Sequence, residues 1–226
     1  MPDIHKLYAP ISGYFRSKRY ERFLAAFPPC RVLDFGGSAQ TWSAMPRFDV
    51  TLLNLDASIS RSGLKFAVAD ACEAPFGDRS FDLAFSNSVI EHVGDWSRQQ
   101  AFAREMQRVA DAIYCQTPNF RFPIEPHLLT PFVHWIPGFC QNYFCVRYFT
   151  VTGWITKLCR QRFESEYRSV RLLKKRELRV LFPGCEIWEE RVWGLIKSFC
   201  VVRRDKPTAV RTASRNSLTT ETKAAG

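Results

Sequence analysis

The sequence predicts an α/β fold with a mostly parallel, seven-stranded sheet. Five short apolar runs, each followed by a turn or an acidic residue, occur within the first 118 residues. Short strands that are apolar along their whole length, with helices between them, are typical of a parallel sheet covered on both faces. Two more apolar runs near the end of the chain flank a short turn, and they predict an antiparallel hairpin that completes the sheet.

The five runs define the predicted strands in chain order. The first run closes on two adjacent glycines, which indicates a buried strand that enters a tight turn. A helical stretch lies between the fourth and fifth runs, where Ser97 and Gln100 have the spacing of a capping box and Phe102, Met106 and Val109 share one face. The five runs with their turns read CRVLDFGGS, VTLLNLDAS, LKFAVADA, FDLAFSNS and DAIYCQTP.

The flanking segments predict the domain organisation. Residues 1–29 are a basic helical lead-in, which we expect to be broken near Pro10 and Gly13. Residues 30–204 form the main domain, in which KKRELRVLF predicts a short helix and EIWEERVW and LIKSFCVVR predict the closing hairpin. Residues 205–226 are polar and predict a disordered tail, because such a segment buries too little apolar surface to offset its ordering entropy.

One segment of the main domain departs from the strand-helix pattern. Residues 119–172 are rich in Phe, Trp, Pro and His and carry few clear strand signals. We interpret this segment as a cap inserted over the carboxyl edge of the sheet.

Composition limits the class of protein. The net charge is +10, but residues 203–226 alone carry six basic and two acidic residues, so the rest of the charge is spread thinly over the chain. A nucleic-acid partner is therefore possible but not favoured, since a binding footprint needs a clustered face. We expect no transmembrane segment, because no apolar run approaches the roughly 18–20 residues that a bilayer requires. The first residues lack the apolar core of a signal peptide, and we predict a cytoplasmic protein.

Three acidic residues follow three successive predicted strands. Asp34 opens D-F-G-G-S, Asp56 ends the second run, and Asp70 ends the third. In an open α/β sheet, ligands bind in the crevice outside the carboxyl ends of the strands. An acid about 20 residues beyond a glycine-rich turn is well placed to accept hydrogen bonds from a ribose diol. Each element alone is a weak indicator, but their order and spacing together predict a nucleotide-like ligand.

These residues resemble the motifs of a known family. VLDFGGS resembles the first motif of the class I methyltransferases that depend on S-adenosylmethionine (SAM), although Ser38 and Gln40 stand where that motif has later glycines. NLDAS is similar to the acidic second motif, and VADACEAPFGDRSFDLAFSNSVIEHV is similar to the next two motifs of the small-molecule branch, often called type 11. The resemblance covers residues 30–117 and implies a Rossmann-like, doubly wound fold, with SAM as the cofactor.

The resemblance also implies a role for individual residues. Asp34 and Gly36 would hold the methionine part of SAM, with Gly37 as part of the same cofactor-binding turn. Asp56 would bind the ribose hydroxyls.

The other implied contacts lie on the third and fourth strands. Asp70 and the backbone of Ala71 would bind adenine. Ser86 and Asn87 would border the sulfonium and the transferred methyl group.

The motifs fit two other ligands less well. A nicotinamide dinucleotide requires G-x-G-x-x-G to hold its pyrophosphate, whereas this chain reads G-G-S-A-Q. A divalent metal binds to E-x-x-E-H in ubiquinone-pathway and small-RNA 2′-O-methyltransferases, whereas Ser88 replaces the first Glu here. A site of Glu91, His92 and either His127 or His134 offers few carboxylates to a hard cation. We therefore predict no metal, with Glu91 as a helix cap and His92 hydrogen-bonded at the pocket.

Methyl transfer to a hydroxyl or amine also requires that the acceptor lose a proton. A neutral His, with an ordinary pKa near 6.5, is suited to that step. The candidates are His92 at the sheet edge and His127 and His134 in the cap, although both cap histidines could equally be structural.

Three functions remain open from the sequence. The first is methyl transfer to an O or N nucleophile of a small molecule or a lipid or glycan intermediate. The second is an RNA methyltransferase, suggested by charge but lacking a recognisable RNA-binding module. The third is a non-catalytic protein with a SAM-binding fold. No pattern in the sequence indicates the methyl acceptor or the oligomeric state.

Overall fold

The computed structural model describes residues 4–43, 45–57, 63–139 and 142–204. Its centre is a seven-stranded sheet in the order β3-β2-β1-β4-β5-β9-β8. The strands are β1 (Arg31–Phe35), β2 (Asp49–Asn54), β3 (Lys65–Val68), β4 (Phe81–Asn87), β5 (Ala110–Pro118), β8 (Glu186–Val192) and β9 (Leu195–Arg203). The first five pair in parallel, while β9 pairs antiparallel with both β5 and β8. The predicted fold class is confirmed.

Helices cover both faces of the sheet. They are α1 (Ile4–Ala26), α2 (Ala39–Trp42), α3 (Trp96–Val109) and α7 (Lys175–Leu181). Side chains alternate along each strand, so Leu33 and Phe35 pack in one core cluster with α3 and α7. Val32 packs in the other cluster with Phe23 of α1 and Trp42 of α2. This alternation also turns Asp34 towards the α1 and α2 side.

Two local expectations about helices are wrong. The lead-in helix α1 is continuous from Ile4 to Ala26. Pro10 removes one backbone hydrogen bond and Gly13 costs about 1 kcal/mol relative to Ala, but neither loss ends a helix that packs on the sheet further along.

The residue that caps α3 is Asp95, not Ser97, because the Asp95 carboxylate accepts the Arg98 amide at 3.0 Å. Ser97 instead donates its hydroxyl to Asp95 at 2.6 Å.

The segment after β5 is built from short elements. It contains the two-stranded pair β6 (Ile124–Glu125) and β7 (Thr130–Pro131), a 3-10 turn at Val133–Trp135, and the helices α4 (Tyr143–Phe149), α5 (Val151–Thr156) and α6 (Arg160–Glu166). These elements have a small core of their own, formed by the buried side chains of Leu128, Val133, Val146, Leu158 and Phe163.

Some sequence predictions fall on residues outside this description. The predicted tail of residues 205–226 lies outside the described residues, as do residues 1–3 of the lead-in and residues 140–141 of the cap. Among the described helices, none is long and apolar enough to cross a membrane.

Candidate active site

The carboxyl group of Asp34 lies beneath the glycine turn at the end of β1. Its side chain is 1% exposed, and Oδ2 accepts a hydrogen bond from Trp42 Nε1 at 2.6 Å. Oδ1 has no hydrogen-bond partner among the described residues. Burial raises the pKa of Asp34 to about 7, and the hydrogen bond from Trp42 opposes that rise. A buried carboxylate oxygen without a donor calls for one from a ligand or water.

The turn itself leaves no room for side chains. Gly36 has a φ of +70°, and a Cβ there would lie 2.6 Å from Val89 Cγ1. A Cβ on Gly37 would lie 1.7 Å from Asp34 Oδ2. The Gly36 amide donates to the Leu53 carbonyl at 2.7 Å, which ties the turn to β2. Because both residues are glycine, no side chain covers the backbone at this edge of the sheet.

The other two predicted acids stand at the ends of the neighbouring strands. Asp56 is exposed, two residues beyond β2, and its amide is 3.4 Å from Asn54 Oδ1. Asp70 is two residues beyond β3, where Arg98 Nη2 binds both carboxylate oxygens at 2.9 and 2.7 Å. Burial acts to raise the pKa of Asp70, but hydrogen bonds from the Cys72 amide and from Arg98 hold it below its usual value. Asp70 is thus ionised and already engaged by a cation.

Asn87, the last residue of β4, is held by the first helix. Its Oδ1 accepts a hydrogen bond from Arg19 Nη1 at 2.8 Å. The other two donor nitrogens of Arg19 bind both carboxylate oxygens of Glu190 in β8 at 2.7 and 2.8 Å. Ser86 precedes Asn87 but is fully buried in the sheet. Of these two predicted residues, only Asn87 reaches the surface of a cavity.

That cavity, named here the Asn87 cavity, has a volume of about 590 Å³. Its walls come from α1, the ends of β4 and β5, the segment around β6, and the β8–β9 turn. Most of the lining is apolar, with polar groups from Asn87, Ser88, Gln116 and Ser198. Its charged lining residues are cationic and comprise Arg16, Arg19 and Lys197.

Two of the three predicted histidines face a second cavity. His127 and His134 line this space of about 360 Å³, named here the His127 cavity. The chain around β6 separates the two cavities: Ile124 and Pro126 line the Asn87 cavity, whereas Glu125 and His127 line the other. The structure therefore brings His127 close to His92 but does not place it in the Asn87 cavity.

His127 belongs to a compact group of titratable side chains. Its Nδ1 is 2.6 Å from Glu125 Oε1, and its ring lies perpendicular to that of His92 with 4.7 Å between centroids. Glu91 is fully buried, with Oε2 accepting from Thr117 Oγ1 at 3.0 Å and Oε1 without a partner among the described residues. The ligand atoms of Glu91, His92 and His127 lie within 4.8 Å of one another, so they could share a proton or a small cation.

The members of this group have shifted pKa values. Burial raises the pKa of Glu91 to about 7. Burial and the nearby His127 lower the pKa of His92 to about 4, which keeps that ring neutral. Burial also acts to lower the pKa of His127, but its hydrogen bond and charge interaction with Glu125 raise it above the usual value. His127 is therefore the most basic of the predicted histidines.

His134 is engaged differently. Its Nε2 donates to the Phe120 carbonyl at 2.8 Å, while Nδ1 is buried without a partner among the described residues. Burial lowers the pKa of His134. With one nitrogen donating to the backbone and the other buried, this ring is less suited than His127 to accept a proton from a substrate.

A family model described as a methyltransferase domain matches residues 39–112. The matched segment runs from α2 to β5 and includes Asp56, Asp70, Asn87 and His92, while the glycine turn directly precedes it. Over these residues the chain is similar to a methyltransferase domain.

Solved structures share the fold of this chain. A SAM-dependent methyltransferase from Methanosarcina mazei is 16% identical, with 79% of this chain and 93% of that chain covered and a TM-score of 0.51. The PH0226 protein from Pyrococcus horikoshii is 14% identical over 85% and 89% of the two chains, with a TM-score of 0.54. The N-terminal domain of EvdMO1, determined with SAH bound, is 18% identical over 84% and 81%, with a TM-score of 0.52. No curated protein sequence matches the chain.

Sequence reasoning missed several residues of the candidate site. Arg19 and Glu190 lie far apart in the sequence and meet only when α1 packs beside β8. Arg98, which binds Asp70, lies on α3 and gave no signal beyond its charge. Trp42, the partner of Asp34, was detectable only as an apolar residue after the glycine turn.

Proposed function

We propose that this methyltransferase transfers a methyl group from SAM to an O or N nucleophile of a small molecule or a lipid or glycan intermediate. The observation that carries the proposal is the position of Asn87. It ends β4, next to the strands that carry the predicted SAM residues, and it also lines the Asn87 cavity. The methyl donor at the sheet edge and the methyl acceptor in the cavity would therefore meet at Asn87.

The residues at the end of β1 fit the methionine part of SAM. Asp34 Oδ1 is buried without a donor among the described residues, and an ammonium group supplies donors. Gly36 and Gly37 present bare backbone beside it. SAM would supply an activated methyl group, and the protein's task would be to bind the two substrates in line and exclude water.

The remaining contacts with SAM would come from residues at the ends of the neighbouring strands. Asp56 is exposed and would accept from the ribose hydroxyls. Asp70 and Ala71 would meet the adenine, with Arg98 fixing the carboxylate of Asp70. Asn87 would border the sulfonium, and Ser86 would support it from within the sheet.

The Asn87 cavity suits the acceptor. Its volume of about 590 Å³ lies within the range of about 300–1,000 Å³ that is usual for small-molecule pockets. Apolar walls with a few polar groups on one side would exclude water while orienting one reactive atom.

His127, oriented by Glu125, is our proposed base for the acceptor proton. The Nδ1 atom of His127 is hydrogen-bonded to the Glu125 carboxylate, so Nε2 is the nitrogen that would receive a proton. The proton would travel through water around the segment that separates the two cavities, because His127 does not line the Asn87 cavity. His92 is the second choice and His134 the third, because the pKa of each is lowered. We propose no metal in this reaction.

The RNA methyltransferase remains the alternative, and a cytoplasmic location remains a prediction. The Asn87 cavity is of small-molecule size, which favours the first function. Incubating the protein and labelled SAM with a cell extract, separated into small-molecule, lipid and RNA fractions, tests the proposal. Label in the small-molecule or lipid fraction is expected, whereas label in RNA alone would establish the alternative.

A further inference from the structure

The cap carries an unusually exposed aromatic surface. Of the fifteen large hydrophobic side chains that are exposed in the described structure, eight lie between residues 126 and 163. The densest group is on α4 and α5, where Phe149 is 73% and Trp154 is 74% exposed. We name this group the aromatic face, and it consists of Phe144, Tyr148, Phe149, Val151 and Trp154. Contiguous exposed apolar patches mark sites of interaction with proteins or membranes.

The two helices that carry the aromatic face pack tightly against each other, and α4 packs on the cap core. Val146 on the opposite side of α4 is fully buried in the cap core. Gly153 of α5 lies so close to α4 that a Cβ there would be 2.0 Å from the Val146 carbonyl oxygen. Thr150 accepts the Gly153 amide at 3.0 Å and donates to the Val146 carbonyl at 2.6 Å. The exposure is therefore a property of a tightly packed helix pair.

The segment that carries the aromatic face is basic. Residues 126–163 contain no Asp or Glu, but they contain Arg147, Lys157, Arg160 and Arg162. Arg162 pairs with Glu166 at 2.9 Å, which leaves Lys157 and Arg160 as the cations relevant to the face. Lys157 and Arg160 are exposed; Lys157 directly follows α5 and Arg160 begins α6. The shallow hollow on the face, about 310 Å³, is lined only by uncharged side chains between residues 148 and 155. The chemistry is thus an apolar centre with cations at its margin.

We propose that the aromatic face docks this protein on the surface of an anionic lipid bilayer. Trp and Tyr favour the membrane–water interface, apolar side chains enter the boundary of the acyl chains, and marginal Lys and Arg bind anionic headgroups. A single-stranded RNA would instead require cations within the groove that holds its bases, and the hollow has none. The proposal concerns binding, and it stands independently of methyl transfer.

The aromatic face is connected to the wall of the Asn87 cavity. The amide of Val151 donates to Thr130 Oγ1 at 2.9 Å, and the Thr152 amide donates to the Leu128 carbonyl at 3.2 Å. These bonds join α5 to the segment that separates the two cavities, where Leu129 lines the Asn87 cavity. Docking through α4 and α5 would bring that cavity close to the lipid surface.

The test is co-sedimentation of the full chain, without SAM, with vesicles of phosphatidylcholine alone or mixed with phosphatidylglycerol. We expect binding to the mixed vesicles that weakens with salt. The double variant Phe149→Glu/Trp154→Glu should lose roughly 10- to 100-fold in partitioning. Lys157→Glu/Arg160→Glu should lose roughly fivefold or more per altered cation. Val180→Glu is the matched control, because Val180 is 66% exposed on α7, away from the aromatic face, and its variant should bind normally.

Three results would overturn the proposal. The first is that the wild-type chain does not bind the mixed vesicles, or that the Phe149/Trp154 variant binds them equally well while retaining its melting temperature. The second is a dimer in size-exclusion chromatography that the same variant converts to a monomer, without vesicle binding. The third is binding to single-stranded RNA with the same dependence on these residues, again without vesicle binding.

Discussion

Arg19 in the first helix donates a hydrogen bond to Asn87 at the end of β4, with 2.8 Å between Nη1 and Oδ1. The same guanidinium forms a two-point ion pair with Glu190 in β8, and both partners are largely buried, with side chains 12% and 15% exposed. The helical lead-in is therefore part of the candidate site, because it fixes the residue at which donor and acceptor would meet.

This relationship gives the first prediction. Arg19→Ala should lower the free energy of unfolding by about 3–5 kcal/mol, because it leaves the Glu190 carboxylate buried without its partner. Urea denaturation measures the change. Adding Glu190→Gln should restore part of the loss, and the exposed neighbour Arg16→Ala should change stability by less than about 0.5 kcal/mol. A loss no larger than that of Arg16→Ala would show that the ion pair contributes little.

The second prediction concerns the proposed ribose contact. Asp56→Ala should weaken the binding of SAM or of its demethylated product roughly 10- to 1000-fold, because one or two hydrogen bonds to a charged group are lost. Calorimetric titration measures the dissociation constant. Asp49→Ala is the matched control, since Asp49 begins the same strand at its opposite end and pairs with Lys65. An unchanged titration for Asp56→Ala would rule out the ribose assignment.

The third prediction is a pH dependence of cofactor binding. Burial raises the pKa of Asp34 to about 7, so the carboxyl group is mainly protonated at pH 6 and mainly ionised at pH 8. An ammonium group favours the ionised form, and affinity should therefore rise with pH through this range, by about tenfold.

Titrations of wild type and Asp34→Asn at both pH values test this assignment. The Asn side chain does not ionise, so its variant should bind more weakly at pH 8 and lose most of the pH dependence. Equal pH profiles for the two proteins would show that another group titrates, such as an amine of the ligand.

The fourth prediction separates the histidines. His127→Asn should lower turnover about 10²–10⁴-fold, the usual contribution of a positioned base, with little change in SAM affinity. His134→Asn should have a smaller effect, because His134 hydrogen-bonds to the Phe120 carbonyl and its pKa is lowered. Glu125→Gln should reduce turnover less than His127→Asn and shift the acidic limb of the pH profile to lower pH, since Glu125 supports the protonated ring.

Single-turnover rates on the true acceptor measure these effects. Full turnover in His127→Asn would remove it as the base and leave His92, or transfer without a protein base. If His134→Asn were the more damaging of the two, the assignment between the cap histidines would be reversed.

Local patterns in the sequence determined the elements of the core. The five apolar runs became β1 to β5, and the turn before LIKSFCVVR closed the hairpin of β8 and β9. Such runs are informative because a strand covered on both faces must be apolar throughout. The order of Asp34, Asp56 and Asp70 was also readable, since each acid follows a strand and parallel strands end at one edge. The family match covers residues 39–112 of this part, which include Asp56 and Asp70 but not β1 or Asp34.

Only the tertiary structure decided how distant segments meet. Arg19 and Glu190 are 171 residues apart, and the pairing of Asp70 with Arg98 depends on where α3 packs. The sequence could name His92, His127 and His134 as candidates. It could not show that Glu125 holds His127, or that the β6 segment turns that ring away from Asn87. Periodicity reports which face of an element is buried, whereas a site depends on contacts between elements, which no local pattern encodes.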